Sequence, residues 1–389
     1  MIEKTNLKSK KQKESEKRGR GFSKPVPDLN SMQRAFSVGV SLLSRARALG
    51  FSLQYIGLNG LLSFVPGAKA VQRDQNPQLL KQLLEEIRKV LRSDADLFAQ
   101  GVLPLSCLWG TSVLPSRSQF LDGLIDGWKV YRRRGDKAHN DLPEEIDLAR
   151  FPLYYRRNFH YQSDGYFSYQ SALRYDRQVD LLFSGTTDAM RRAWIPDLLK
   201  LPLWKDRVLT GGAGLKLMDL ACGPASGTVS LAQLFPEAEI TIQDLSKPYL
   251  QRAQERLAFH RNLKVIEGNA EKLALPKASI DLCLCVYLFH ELPMQAREAV
   301  FAEVARVLKP GGMFIIVDSL QVGDSKIFDP LLSNFPQNFH EPFYMNYIKK
   351  PLRKIAATAG LSVLSDSTAF ASKYMILQKP TPAKKKDVR

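Results

Sequence analysis

The sequence has few of the features that mark secreted or membrane-spanning proteins. Its four cysteines form no C-x-x-C pair, which argues against a disulfide framework or a zinc site and fits a reducing compartment. The basic start is too long for a secretory signal, and no compact apolar core follows it. The one long uncharged stretch, residues 48–68, holds four glycines and Pro66, so it makes a poor membrane span. We therefore predict a cytoplasmic protein in which this stretch is a buried or interfacial helix.

The positive charge is concentrated at the two ends of the chain. The net charge is +17, of which residues 1–24 carry +6 and residues 373–389 carry +5. The 348 residues between them are only mildly basic. We predict disordered, solvated tails at 1–30 and 380–389 that make weak contacts with an anionic membrane surface or nucleic acid. An electropositive active-site groove is not expected.

The G-x-G-x-x-G spacing of dinucleotide-binding folds is also missing from the first glycine-rich turn. In its place, residues 217–227 run from an apolar strand that ends at Asp219, through a turn of small residues, into an apolar helix. A strand, a small-residue turn and a helix place a ligand at the carboxyl edge of a parallel sheet, against a helix N-terminus. An ordinary strand–helix turn without a ligand is the alternative.

This turn reads Asp-x-Ala-x-Gly-x-Ala, and it resembles the first motif of class I S-adenosylmethionine (SAM) methyltransferases, Asp/Glu-x-Gly-x-Gly-x-Gly. Ala221 and Ala225 stand where that family has glycine, and we expect Ala225 to narrow the space beside the ligand. Residues 263–276 resemble the Gly-Asp-Ala-Glu-x-Leu-Pro motif of the UbiE-like quinone-biosynthesis C-methyltransferases, with Asn269 in place of the aspartate. Residues 174–194 are similar to the entry helices of that family, which fold over the SAM site.

Predicted strands and helices alternate from residue 215 onward, which indicates an α/β fold with a doubly wound, mostly parallel sheet. The turn at Gly311 and Gly312 and a closing antiparallel hairpin, 361–364 with 373–378, match the seven-stranded, Rossmann-like sheet of class I methyltransferases. The resemblance covers 170–379. An α-helical N-terminal domain at 31–135 precedes it, joined by a linker and aromatic-rich loop at 136–169.

Three helices are predicted in the N-terminal domain. The helix at 36–65 is apolar nearly all round and needs cover from protein or lipid. Asn76 and Pro77 are a good N-cap and first residue for the second helix. The third helix, 117–134, is expected to end at Gly135.

The cofactor that the resemblance implies is SAM. Asp244 ends the second strand, about 20 residues past the turn, where a carboxylate accepts both ribose hydroxyls, and Ser246 is the better N-cap for the helix that follows. The resemblance assigns adenine recognition to the segment around Asn269, whose amide oxygen is still an acceptor. No metal is expected. The predicted cofactor-binding residues are Asp219, Ala221, Gly223, Asp244, Leu245, Asn269, Ala270 and Tyr287.

Two histidines are predicted as catalytic bases. His290 follows the fourth strand, whose carboxyl end faces the methyl group in class I folds, and a neutral imidazole there could take a proton from the acceptor. Capping of the helix begun by Pro293 is the equal alternative. His340 lies in an aromatic segment, 334–347, that either shapes an acceptor pocket or is a packed loop. The same two alternatives apply to the aromatic segment 154–166. Acceptor contacts are predicted at Tyr166, Tyr175, Glu341 and Tyr344.

The implied function is methyl transfer from SAM to a small hydrophobic or aromatic acceptor of the quinone or lipid type. The basic tails favour an RNA methyltransferase as an alternative, although the sequence lacks the Asn-Pro-Pro-Tyr and Pro-Cys signatures of base methylation. Ala225 and Asn269 motivate a second alternative, a SAM-binding protein without catalysis. A third hypothesis places the helix 36–65 and the basic arm at a bilayer that holds a prenylated acceptor.

Overall fold

Seven strands form one sheet at the centre of the protein. The computed structural model describes residues 29–62 and 76–382, so the predicted tails and the end of the predicted helix 36–65 lie largely outside the described residues. The strands are β1 (Lys216–Leu220), β2 (Glu239–Asp244), β3 (Leu263–Glu267), β4 (Ile280–Val286), β5 (Leu308–Ser319), β6 (Ser362–Ala369) and β7 (Ser372–Gln378).

The strand order is β3-β2-β1-β4-β5-β7-β6. The first five strands of this order pair in parallel, and β7 runs antiparallel to both β5 and β6. The predicted doubly wound sheet with a closing hairpin is therefore confirmed. Because the order reverses beside β1, the carboxyl ends of β1, β2 and β4 border a crevice at the topological switch point, where open α/β sheets bind ligands.

Helices cover both faces of the sheet and form the N-terminal region. They are α1 (Ser31–Leu62), α2 (Pro77–Ala99), α3 (Arg117–Asp136), α4 (Tyr169–Leu182), α5 (Thr187–Arg192), α6 (Ile195–Leu199), α7 (Pro202–Leu209), α8 (Thr228–Leu234), α9 (Lys247–Arg256), α10 (Met294–Val307), α11 (Asp329–Leu332), α12 (Phe335–Asn338), α13 (Tyr344–Lys349) and α14 (Leu352–Thr358).

The central strands are apolar on both sides because helices bury both faces. In β4, Leu282 and Leu284 join the apolar core on one face, and Cys283 and Cys285 join the core on the other. Both cysteines are fully buried between β1 and β5. The prediction that they are small core residues is confirmed.

Most predicted helix signals are found, with two differences. Asn76 caps α2 by accepting from the backbone N–H of Gln78, and Pro77 is the first helical residue. Helix α3, however, continues through Gly135 to Asp136, and Lys137 takes the left-handed capping conformation at φ 53°. The region that resembles entry helices does not continue as one helix after α4 but is divided into α5 and α6, because Pro196 has no N–H to continue a helical ladder.

Among residues 29–62 and 76–382, other parts of the protein cover only one side of helix α1. It packs against α2 and α4, whereas its other side exposes an apolar stripe of Val38, Leu42, Leu49, Leu53 and Ile56. Across residues 29–62 and 76–382, no helix combines the length and apolar character needed to cross a bilayer. Contact of this helix with a membrane surface stays a prediction.

Two buried ion pairs join the N-terminal helices to the rest of the protein. Arg47 of α1 contacts Asp180 of α4 at 2.8 Å. Arg192 of α5 donates two hydrogen bonds, of 2.7 and 2.8 Å, to the carboxylate of Asp94 in α2. All four side chains are almost completely buried. The helices are thus held against the region that precedes β1, while the domain boundary at 135 stays a prediction.

We expect Asp94→Ala to lower the free energy of unfolding by about 3–5 kcal/mol, because the buried Arg192 guanidinium loses the carboxylate that it hydrogen-bonds. Urea unfolding measures the loss. The matched control is Glu86→Ala on the same helix, whose partner Lys89 is exposed, and it should leave the unfolding midpoint unchanged. Similar midpoints for both variants would contradict a stabilising role for the buried pair.

Candidate functional site

A cavity of about 110 Å³ lies at the carboxyl edge of the sheet, between the ends of β1, β2 and β4 and the loop after β3. The structure brings together on its wall every residue predicted to bind a cofactor. These are Asp219, Ala221, Gly223, Asp244, Leu245, Asn269, Ala270 and Tyr287.

The small-residue turn after β1 alternates left-handed residues with ordinary ones. Ala221, Gly223 and Ala225 have φ angles of 54°, 53° and 63°. The alanines therefore carry strain of about 1–2 kcal/mol each that glycine would avoid. Ala225 is completely buried and its methyl group joins the apolar core. The expectation that it narrows the ligand space is wrong, because this side chain points away from the described cavity wall.

Asp244 is held by two backbone N–H groups. Its Oδ2 accepts from Gly223 at 2.8 Å and its Oδ1 accepts from Ser246 at 2.8 Å. Burial, partly offset by these hydrogen bonds, raises the pKa of this carboxyl to about 6. Ser246 caps α9 through the N–H of Tyr249, as predicted. Asp244 therefore has a fixed orientation and retains free lone pairs for hydroxyl donors.

Asp219 carries a buried oxygen without a partner. Its Oδ2 accepts from the Thr228 hydroxyl at 2.5 Å, but within the described part of the chain its Oδ1 accepts no hydrogen bond. The same holds for Oε1 of Gln243, which also lines the cavity. Burial raises the pKa of Asp219 to about 7. Such unpaired acceptors are costly unless a ligand donates to them.

The loop after β3 is organised by Glu271. The Oδ1 of Asn269 accepts from the Glu271 N–H at 2.9 Å, and its Nδ2 donates to the Glu271 carboxylate at 3.0 Å. The Tyr154 hydroxyl donates to the same carboxylate at 2.6 Å. One lone pair of Asn269 Oδ1 thus stays available beside the cavity.

The aromatic segment 154–166 covers the cavity. Tyr155 and Phe159 line it together with Tyr166, whose hydroxyl donates to Glu291 at 2.5 Å. The Ser246 hydroxyl donates to the carbonyl of Tyr166 at 2.5 Å, which fastens the cover to the end of β2. This segment therefore has both of the predicted properties, since it lines a cavity and is also packed against the protein.

A second cavity of about 1130 Å³ lies beside the first. Its wall is mainly apolar and comes from α1, α3 and α4 on one side and from residues 328–344 on the other. The two cavities share Tyr175, Tyr287 and Glu291. Apolar residues on the wall of the larger cavity include Leu58, Leu124, Val130, Leu173, Phe328, Phe335, Phe339 and Tyr344.

The junction of the cavities is built on the turn that follows β4. Tyr287 has φ 58°, an outlier for a bulky residue, and its hydroxyl pairs with Ser372 at 2.7 Å. His290 is buried, and its Nδ1 lies 2.6 Å from Oδ1 of Asp318. Although burial favours the neutral ring, the Asp318 carboxylate raises the pKa of His290 to about 10.

Residues 217–312 match the methyltransferase-domain family. This segment is a methyltransferase domain. It has the fold of the class I, SAM-dependent enzymes. The match begins in β1 and ends at Gly312, within β5. It therefore includes all the strand residues that line the smaller cavity.

Two curated relatives each match less than half of this chain. An uncharacterized methyltransferase of Synechocystis is 29% identical over 165 residues, which are 42% of this chain and 75% of that protein. A demethylmenaquinone methyltransferase of Geobacillus is 29% identical over 147 residues, 37% of this chain and 58% of its own length. The solved structure of a SAM dependent methyltransferase from Aquifex aeolicus is 16% identical, with a TM-score of 0.33 over 45% of this chain and 88% of that one.

The two predicted bases of the methyltransferase lie in different surroundings. His290 lines the larger cavity and is not a helix cap, because its ring bonds Asp318 and α10 has no side-chain cap. With this raised pKa, His290 is protonated at neutral pH. It could act as a base only after it loses that proton. Removal of an acceptor proton by His290 stays a prediction.

His340 faces neither of the two cavities in the part of the chain that the structure describes. It stacks on His139 with ring centroids 4.1 Å apart. Burial and the His139 ring lower the pKa of His340 to about 4. This placement disagrees with a base that contacts an acceptor, since the ring is turned toward the surface loop instead.

Of the predicted acceptor contacts, Tyr175 and Tyr344 line the larger cavity, whereas Tyr166 lines only the smaller one. Glu341 lies buried behind the wall. The sequence did not predict that α1 and α3 line the larger cavity. Apolar residues that line a cavity show the same helical spacing as apolar residues of a core. The sequence also did not predict the contact of Asp318 with His290. The position of Asp318 at the end of β5, on the carboxyl edge of the sheet, was the available signal.

We expect Ala221→Gly to stabilise the protein by about 0.5–1 kcal/mol. Relief of left-handed strain, about 1–2 kcal/mol, exceeds the extra freedom of glycine in the unfolded chain, about 0.4–1 kcal/mol. Ala225→Gly is the matched comparison, and loss of its buried methyl group, about 0.8 kcal/mol, should cancel the gain. Urea unfolding measures both, and a larger gain at 225 than at 221 would contradict the assignment of strain and burial.

We expect Asp244→Asn to weaken SAM binding about 10–100-fold, because hydroxyl groups donate more strongly to a carboxylate than to an amide. Calorimetry measures the affinity, and Asp206→Asn on the exposed side of α7 is the control. The wild-type affinity should also fall at least about tenfold from pH 8 to pH 5, because Asp219 and Asp244 gain protons near pH 7 and pH 6.

Asp244→Asn removes the group that gains a proton near pH 6. The SAM affinity of this variant should therefore change only near pH 7, where Asp219 gains its proton. Unchanged SAM affinity in this variant, or an equal loss in the Asp206 control, would remove Asp244 from the proposed site.

Proposed function

We propose that this protein transfers a methyl group from SAM to a large, mainly apolar acceptor that binds between the N-terminal helices and the methyltransferase domain. One observation carries the proposal. The cavity at the carboxyl edge of the sheet meets the larger apolar cavity at Tyr175, Tyr287 and Glu291. A cofactor in the first cavity and an acceptor in the second would thus have one point of contact.

The polar groups of the smaller cavity fit SAM. Asp244 would accept from the ribose hydroxyls, and the remaining lone pair of Asn269 Oδ1 would accept from the adenine amino group. The unpaired Oδ1 of Asp219 suits an ammonium group, and Arg191, which lines the same wall, suits a carboxylate. When bound, SAM supplies an electrophilic methyl group on a sulfonium. At about 110 Å³ the cavity is smaller than usual ligand pockets, so segment 154–166 would move outward on binding.

The larger cavity fits an acceptor with a flat ring and an apolar extension. Its volume of about 1130 Å³ slightly exceeds the usual range for ligand pockets. The apolar walls would exclude water, and the polar groups near the junction would fix the reacting end. The names of the demethylmenaquinone methyltransferases support a quinone-like acceptor for this chain too.

A transfer assay with labelled methyl SAM tests this function. Lysate is separated into lipid, nucleic-acid and protein fractions, and we expect label in the lipid fraction. Leu124→Trp on α3 fills part of the larger cavity, so it should lower lipid labelling about tenfold or more while SAM affinity is unchanged. Leu209→Trp, at an exposed position of α7, is the matched control.

Other outcomes assign the alternatives. Label in the nucleic-acid fraction, lost when the basic tails are deleted, would support the RNA methyltransferase suggested by the tail charge. Tight SAM binding without label in any fraction would support a SAM-binding protein that does not catalyse transfer. Equal lipid labelling by Leu124→Trp and wild type would show that the acceptor does not occupy the larger cavity.

A further inference from the structure

Four side chains that could bind a metal ion meet at the wall of the larger cavity, next to its junction with the smaller one. They are His160, His290, Glu291 and Glu341, and one donor atom of each lies within 4.8 Å of the others. We propose that this cluster binds a divalent transition-metal ion, such as Zn²⁺, that coordinates an oxygen of the acceptor. The role toward the acceptor rests on the proposed function, whereas ion binding does not.

The distances suit one metal centre. The Nε2 of His160 lies 3.0 Å from Oε1 of Glu341 and 3.6 Å from Oε1 of Glu291. The Nε2 of His290 lies 3.9 Å from the same Glu341 oxygen. Zinc bonds of about 2.0–2.2 Å put neighbouring donors of a tetrahedron about 3.3 Å apart. Small side-chain adjustments would therefore bring all four atoms to one ion.

Outer hydrogen bonds already orient two of these donors. Asp318 lies 2.6 Å from Nδ1 of His290, which turns the Nε2 of that ring toward the cluster. The Tyr166 hydroxyl donates to Oε1 of Glu291 at 2.5 Å. A carboxylate behind a histidine and a hydrogen bond to a carboxylate are the outer interactions that accompany metal ligands in proteins.

Glu341 is the observation that points most directly to a bound cation. It is only 3% exposed, and neither of its carboxylate oxygens accepts a hydrogen bond from any described residue. His160 approaches Oε1 closely but without hydrogen-bond geometry. A buried carboxylate without hydrogen bonds is destabilising unless a cation compensates its charge.

His160 adds backbone strain to the same place. It has φ 53°, and Tyr161 after it has φ 58°. Left-handed conformations in such residues cost about 1–3 kcal/mol each and are concentrated at functional sites. The segment that covers the smaller cavity thus bends so that the imidazole of His160 reaches Glu291 and Glu341.

The mixed donor set favours a transition metal over Mg²⁺ or Ca²⁺. Two imidazole nitrogens and two carboxylates suit Zn²⁺, Fe²⁺ or Mn²⁺. Bound imidazole must be neutral, so the proton that the carboxylates hold on His290 would be released on binding. Three of the four donors line the larger cavity, which provides an entry path. There, a cation would polarise a hydroxyl or carbonyl oxygen of the acceptor beside the methyl donor.

Metal titration of the full chain tests the proposal directly. Protein treated with a chelator and dialysed is titrated with Zn²⁺ at pH 7.5, and we expect one ion per chain. Glu341→Gln and His160→Gln should each weaken binding about 100-fold, and Asp318→Asn about 10–100-fold. His139→Gln, which removes a histidine outside the cluster, is the matched control and should bind as the wild type does.

A second measurement covers variants that fold poorly. Co²⁺ in wild-type protein should give the intense visible absorption of a four-coordinate site, and Glu291→Gln should abolish it while circular dichroism confirms the fold. No stoichiometric binding by wild type, or equal binding by all cluster variants, would overturn the site. Ion binding without methyl transfer would instead refute the proposed function and leave the site in place, and transfer unaffected by a chelator would separate the ion from the reaction.

Discussion

Asp318 makes the interactions on which the junction of the two cavities depends. It ends β5, and its carboxylate accepts from the backbone N–H groups of Phe289 and Ser319, each at 2.7 Å. The same carboxylate lies 2.6 Å from His290. One buried charge therefore fixes the turn after β4, which carries Tyr287 and Glu291 as well. Since hydrogen bonds to charged groups are the strong ones, the turn keeps its shape despite the unfavourable φ of Tyr287.

The N-terminal helices complete the site instead of forming a separate module beside it. The buried ion pairs Arg47–Asp180 and Arg192–Asp94 hold α1 and α2 in place. Separating either pair would leave a buried charge without its partner, which is strongly destabilising. Helices α1 and α3 then supply one wall of the apolar cavity, and the methyltransferase domain supplies the other.

Several residues around the carboxyl edge of the sheet have strained backbone conformations. Ala221 and Ala225 in the first turn, Tyr287 after β4 and His160 in the aromatic cover all have positive φ. Each conformation would be easier for glycine. Ala221, Tyr287 and His160 line a cavity, whereas Ala225 packs in the core. The surrounding core and hydrogen bonds compensate for this strain, as is common where a site holds groups in a fixed geometry.

The sequence by itself determined the fold, and it predicted the residues that line the smaller cavity. Alternating apolar strands and helices, the small-residue turn and Asp244 near the end of the second strand are local patterns, and each acts within about 20 residues of chain. It did not determine the surroundings of His290, because His160, His290, Asp318 and Glu341 are far apart in sequence and meet only when β4, β5 and the aromatic segment pack together. For the same reason, only the tertiary structure showed that Asp318 raises the pKa of His290, that Ala225 packs in the core and that His340 lines neither cavity. Burial and charged neighbours decide those properties, and both arise from long-range packing.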